Sequence, residues 1–128
     1  MIAPAPLAMP VLVVDDYNIM VRIVRNLLRQ LGFQIIDEAS DGKTALTKLR
    51  QRRYGLVISD WKLKPMGARQ LVGAVRGDLF LRDTPVVLMT PAAGNHVARD
   101  AGADSYLPAP FDAATLKQRL VTAFGREF

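Results

Sequence analysis

The sequence contains no cysteine, one histidine and one tryptophan. Without cysteine there is no disulfide and no thiolate zinc site. With His96 as the single imidazole, a multi-histidine metal centre is excluded as well. A cysteine-free chain suits a reducing compartment, and the expected location is cytoplasmic. No apolar run approaches the roughly 18 residues of a membrane helix, so no membrane insertion is expected. The opening stretch MIAPAPLAMP is apolar but broken by Pro4, Pro6 and Pro10, and it carries no Lys or Arg. It reads as a loose lead-in over residues 1–8 and not as a signal peptide. A P-loop, a G-x-S-x-G elbow and a dinucleotide glycine fingerprint are also missing, so an enzyme with a conventional substrate is not expected. No dense basic tract is present either. The 17 Lys and Arg residues exceed the 12 Asp and Glu by a net +5, but they are scattered. They read as solvated surface, and nucleic acid is not an expected partner.

What is present is a regular alternation. The 128 residues suit one domain, 1–128. Val11-Leu12-Val13-Val14 is a continuous β-branched run that stops at Asp15-Asp16, as a strand buried on both faces does. Residues 18–31 come next, with Ile19, Met20, Ile23, Val24, Leu27, Leu28 and Leu31 at helical spacing. Asn18 is a candidate N-cap there and Gly32 a stop. Phe33 to Ala39 reads as a second strand, and Asp41 to Arg52 as a helix facing inward on Ala45, Leu46 and Leu49. Leu56-Val57-Ile58-Ser59 is a third strand ending at Asp60. After a loop with Pro65 and Gly67, Arg69 to Arg76 is a helix on Leu71, Val72 and Val75. Pro85 to Met89 is a fourth strand ending at Thr90. Pro91-Ala92-Ala93-Gly94 is poor helix material, so the fourth helix is short, Asn95 to Ala101. Ser105-Tyr106-Leu107 is a fifth strand, and Asp112 caps a last helix on Leu116, Leu120, Val121 and Phe124. Five βα units imply an α/β, doubly wound parallel sheet with right-handed crossovers. The expected order is the flavodoxin-like 2-1-3-4-5, with ligands at the carboxyl ends of strands 1 and 3.

That switch point collects Asp15, Asp16 and Asp60, with Thr90 beside them. Three carboxylates at neighbouring strand ends repel one another unless a hard cation sits among them. Oxygen ligands without His or Cys favour Mg²⁺, which commonly accompanies phosphoryl chemistry. The competing reading is local: Asp15 and Asp16 cap the first helix and Asp60 opens a turn. Ser59 is a rival nucleophile, but the strand pleat turns it away if Asp60 faces the site.

The motifs VLVVDD (11–16), RIVRNLLRQLGF (22–33), LVISDW (56–61), the strand-end Thr90 and AGADSYLPAPFDAATL (101–116) resemble the receiver domain of bacterial two-component response regulators, most closely the single-domain chemotaxis type. The resemblance implies that Asp60 accepts a phosphoryl group from a histidine kinase or phosphotransfer protein. It implies Mg²⁺ held by Asp15, Asp16, Asp60 and the main-chain carbonyl of Lys62. It makes Thr90 the hydroxyl that meets the phosphoryl group and Tyr106 the switch aromatic. Any turnover is limited to self-dephosphorylation. With the chain ending four residues after Phe124, output is expected through a protein partner.

Three departures from the family pattern stand out. Ala109 occupies the position of a Lys that pairs with the phosphorylated Asp. Pro91, after Thr90, has no N–H to donate. The segment from Thr90 to Gly102 is about one helical turn shorter than in the chemotaxis relatives. Lys62 or Lys64 either replaces the missing cation or is solvated. Trp61 is a packing residue or a partner anchor, and His96 a surface residue. Tyr106 is either a switch or a residue packed on the sheet edge. Three functions compete: a phospho-acceptor signalling receiver, a degenerate receiver whose interactions ignore phosphorylation, and a binder of anionic nucleotide or nucleic acid.

Overall fold

The computed structural model describes residues 6–92 and 94–128. After a short 3₁₀ turn, Pro6–Ala8, the elements run β1 (Val11–Val14), α1 (Asn18–Gln30), β2 (Ile36–Ala39), α2 (Gly42–Gln51) and β3 (Leu56–Asp60). They continue with α3 (Ala68–Arg76), β4 (Val86–Thr90), α4 (Asn95–Ala101), β5 (Ser105–Pro108) and α5 (Ala113–Phe124). The five strands form one parallel sheet in the order β2-β1-β3-β4-β5. This is the flavodoxin-like order expected.

The pleat divides the core in two. Leu12, Val14, Val57, Val86 and Leu88 pack beneath α2, α3 and α4. Val11, Val13, Ile58, Val87 and Met89 face the other way, onto α1 and α5. Each central strand is therefore apolar up to its carboxyl end, because both of its faces are covered.

The structure differs from the sequence reading in several places, besides shifts of one residue at the ends of α1, α2, α3, β3, β4 and β5. β2 starts at Ile36, not Phe33. Gly32 ends α1 with φ 108°, and Phe33 drops beneath that helix, its amide donating to Leu28 O at 3.0 Å and its ring lying 5.5 Å from Phe128. Asn18 is the first helical residue and Tyr17 holds the N-cap position. On α1, Val21, Val24 and Leu28 are buried, whereas Ile19 and Ile23 are 54% and 43% exposed. Val121 and Phe124 of α5 are only half-buried; Leu116 and Leu120 carry its core face. Among the described residues no helix is long and apolar enough to cross a membrane.

Candidate functional site

β1 and β3 are neighbours in register, Val14 opposite Ser59, so the residues just beyond them emerge side by side. One carboxylate oxygen from each of Asp15, Asp16 and Asp60 lies within 4.8 Å of the others. Asp15 is buried, Asp60 half-buried and Asp16 exposed. The amide of Tyr17 donates to Asp15 Oδ1 at 2.9 Å, which fixes that carboxylate as α1 begins. The capping reading of Asp15 does not hold: Tyr17 occupies the N-cap position of α1, and no side-chain cap hydrogen bond is formed there. The bond from the Tyr17 amide leaves the Asp15 carboxylate in the cluster.

The group is electrostatically uncomfortable when alone. Burial pushes the Asp15 carboxyl up to about 6 from 3.8, and the charges of Asp60 and Asp16 add to this against the pull of the Tyr17 amide. Burial also raises Asp60, with Asp16 reinforcing the shift. The backbone N–H groups of Lys62 and Trp61 and the Lys62 ammonium act in the opposite direction. A cluster whose ionised form is penalised in this way suits a hard cation, and its all-oxygen donors match Mg²⁺.

Thr90, at the end of β4, is 2% exposed and its Oγ1 has no hydrogen-bond partner. A buried hydroxyl without a partner costs free energy unless a ligand oxygen completes it. The segment after Thr90 folds tightly over it. A Cβ added to Gly94 would lie 2.3 Å from Thr90 Cβ and 2.5 Å from Oγ1, so only glycine permits this approach. Ser59 is fully buried and donates to the carbonyl of Asp60 at 3.1 Å, which removes it as a rival nucleophile.

Pro91 and Ala109 are both exposed, and the Ala109 amide donates to Thr90 O at 3.0 Å. Lys62 Nζ lies 5.2 Å from the centre of the Trp61 ring, and among the described residues neither Lys62 nor Lys64 forms an ion pair. Tyr106 is half-buried, and the Arg119 guanidinium of α5 lies 4.4 Å from its ring centre. His96 is exposed, beside a cavity of about 260 Å³ shared with Trp61 and Asp100. Sequence reasoning missed the Tyr17 amide, Gly94 and Arg119. Only Gly94 left a mark in the sequence, as a glycine before a short helix.

A 2-1-3-4-5 parallel sheet with an acidic cluster at the β1/β3 switch point defines the class: a flavodoxin-like, doubly wound α/β protein. Within that class the chain belongs to the response regulator receiver domain family, which residues 11–121 match. Members of this family accept a phosphoryl group and are not enzymes with a conventional substrate. The chain is 41% identical over 121 residues to chemotaxis protein CheY-3 of Vibrio cholerae, covering 92% of this chain and 93% of that one. It is 39% identical to chemotaxis protein CheY of Pseudomonas aeruginosa, covering 92% and 98%. Among solved structures it resembles the chemotaxis response regulator CheY4 of Vibrio cholerae, with TM-score 0.77, 30% identity and coverage of 88% and 95%. It also resembles the receiver domain of a Pseudomonas aeruginosa sensor histidine kinase, solved with a magnesium ion coordinated in its active site cleft. That likeness has TM-score 0.80 and 25% identity, covering 91% and 98%. The chain is a chemotaxis-like response regulator receiver.

Proposed function

We propose that this chain accepts a phosphoryl group on Asp60 from the phosphohistidine of a kinase or phosphotransfer protein, and signals through a protein partner. The observation that carries the reading is the convergence of three carboxylates within 4.8 Å, next to a buried Thr90 hydroxyl that has no partner. Asp15, Asp16 and Asp60, with the Lys62 carbonyl, would hold Mg²⁺, which when bound offsets the repulsion between the carboxylates and an incoming phosphoryl group. An Asp60 oxygen forms the new O–P bond as the donor's N–P bond breaks. The released imidazole keeps the bonding electron pair and takes up a proton from solvent. Asp15, fixed by the Tyr17 amide, keeps its carboxylate aimed at the site. Thr90 donates its hydroxyl hydrogen to an oxygen of the acquired group. Beside the site, Tyr17, Ile19 and Ile23 leave large apolar side chains in water, the kind of surface a donor protein covers.

The test is transfer of ³²P from a phosphorylated histidine donor. The expected result is acid-stable, base-labile label on the unmodified chain and none on Asp60→Asn. Equal labelling of both proteins would refute the acceptor assignment. A second expectation concerns the cation alone. Millimolar Mg²⁺ should change the fluorescence of Trp61, which adjoins Asp60, and the change should be lost in Asp15→Asn/Asp16→Asn. An unaltered titration in that double variant would remove Asp15 and Asp16 from the metal site.

A second reading concerns output and rests on Pro91 and Ala109. These residues leave the nucleophile and the carboxylates untouched but withdraw two donors from the phosphoryl oxygens. On this reading the chain is phosphorylated with little conformational consequence.

A further inference from the structure

The loop from α3 to β4, residues 77–85, presents Leu79 and Phe80 to water at 78% and 95% exposure. It is nevertheless firmly tied. Arg76 donates to the carbonyls of Arg82 and Thr84 at 2.7 and 2.8 Å, and to the Asp104 carboxylate at 2.8 Å. Asp78 Oδ1 accepts from the Phe80 amide at 2.8 Å, and Asp78 O accepts from the Leu81 and Arg82 amides. Leu81 anchors the loop in the core. Held in this way, the loop backbone presents two large apolar side chains at a defined place, so a partner that covers them need not order the loop.

Beside them opens a groove of about 990 Å³, at the amino ends of β3 and β4. Those strands are parallel, so the groove lies at the opposite end of the sheet from Asp60, one strand length or roughly 16 Å away. Met9, Leu49, Tyr54, Pro85 and Phe124 give it apolar lining. Arg50, Arg52, Arg53 and Arg126 line it too, against Asp78 and Asp83. Arg50 is 3.8 Å from Asp78 and Arg52 is 3.2 Å from Asp37. Among the described residues Arg53 and Arg126 have no ion-pair partner.

We propose that this groove docks an acidic amphipathic segment of a protein partner, with Leu79 and Phe80 as its apolar anchors and Arg53 and Arg126 pairing with the segment's carboxylates. An apolar lining with a cationic edge complements a segment that alternates apolar and acidic residues. A second copy of this chain is a poorer occupant: at net +5, a twofold contact here sets one set of arginines against another. The site is distinct from the phospho-acceptor, so it would hold a partner whether or not Asp60 is modified.

The experiment uses the full chain and a fluorescein-labelled synthetic peptide of about four helical turns, with Leu at i, i+3, i+4 and i+7 and Glu elsewhere. Controls are the same peptide with Lys for Glu, and oligothymidylate. Binding of the Glu peptide, with amide NMR shifts centred on residues 53–55 and 78–85, is expected. Phe80→Ser should weaken it about tenfold, and Arg53→Glu/Arg126→Glu should abolish it. All three positions are exposed, so these variants keep the fold and should still take label on Asp60. The proposal is overturned if the Lys peptide or oligothymidylate binds as well as the Glu peptide, or if the shifts fall elsewhere. It is equally overturned if Phe80→Ser has no effect, or if the groove instead mediates self-association in sedimentation.

Discussion

Asp15→Asn should raise the melting temperature of the metal-free protein at pH 7 by about 5–10 °C. The Asp15 carboxyl lies at about 6 in the folded protein against 3.8 for the free group, chiefly through burial and then through the charges of Asp60 and Asp16. A raised carboxyl value means that the folded state binds the proton more tightly than the unfolded chain does. Stability is therefore lost as pH rises from about 4 to about 6 and stays low above that. The shift corresponds to about 3 kcal/mol between the two protonation states. Asparagine removes the charge, and its amide oxygen still accepts from Tyr17. The gain should shrink to about a third at pH 4.5, where the native carboxyl is already protonated in the fold. Added Mg²⁺ should reverse the ranking, stabilising the unmodified protein at pH 7 and leaving the variant unmoved. Calorimetry at the two pH values, with EDTA or with Mg²⁺, measures all three effects. A variant that melts lower than the parent at pH 7 in EDTA would show that the carboxylate is satisfied by contacts other than a cation.

Beryllofluoride bound at Asp60 should produce only a small shift across residues 90–106. Two groups that would grip the phosphoryl oxygens are missing, the N–H at Pro91 and the ammonium at position 109. Charge-assisted hydrogen bonds are worth roughly 1.5–3 kcal/mol each, so about 3–6 kcal/mol of preference for the modified conformation is absent. That is about a hundredfold to ten-thousandfold in a two-state ratio. Thr90 remains as the main side-chain contact. Tyr106 is also held at its present place by the Arg119 guanidinium, 4.4 Å from its ring centre, a cation–π contact that must be broken before the ring can move inward. Ala109→Lys with Pro91→Ala should enlarge the response, since both positions are exposed and accept the new side chains without displacing the core. Adding Arg119→Ala to that double variant should enlarge it further. Paired ¹H–¹⁵N spectra with and without beryllofluoride, on each protein, give the comparison. A large shift in the unmodified chain would mean that Lys62, Lys64 or another group already supplies the charge.

On the proposed reading, acceptor chemistry and output would separate in this chain. The acceptor would depend on residues at the ends of β1 and β3, and the output on the segments beyond β4 and β5. The two sets would meet at the phosphoryl group, so the second could be lost while the first persists.

The three central strands and the acidic cluster were legible in the chain alone, because both are written in local runs. Val11 to Val14, Leu56 to Ser59 and Val86 to Met89 are apolar almost without interruption, as burial on both faces demands. Asp15, Asp16, Asp60 and Thr90 stand directly where those runs stop. The short α4 was legible in Pro91 to Gly94, and the cap of α5 in Asp112, whose carboxylate accepts from Thr115; Asp41, read as the first residue of α2, instead caps that helix and accepts from Thr44. Packing settled the features that depend on neighbours distant in the chain. Helical spacing on α1 offered overlapping apolar stripes, and contact with the sheet and α5 selected Val21, Val24 and Leu28, leaving Ile19 and Ile23 in water. The raised Asp15 carboxyl arises from burial and from Asp60 on another strand. Arg119 on Tyr106 and Arg76 on Asp104, beside the loop that displays Phe80, are contacts between chain segments that only the closed fold brings together. A one-dimensional pattern reports the periodicity of burial, whereas these contacts are set by which elements pack against one another.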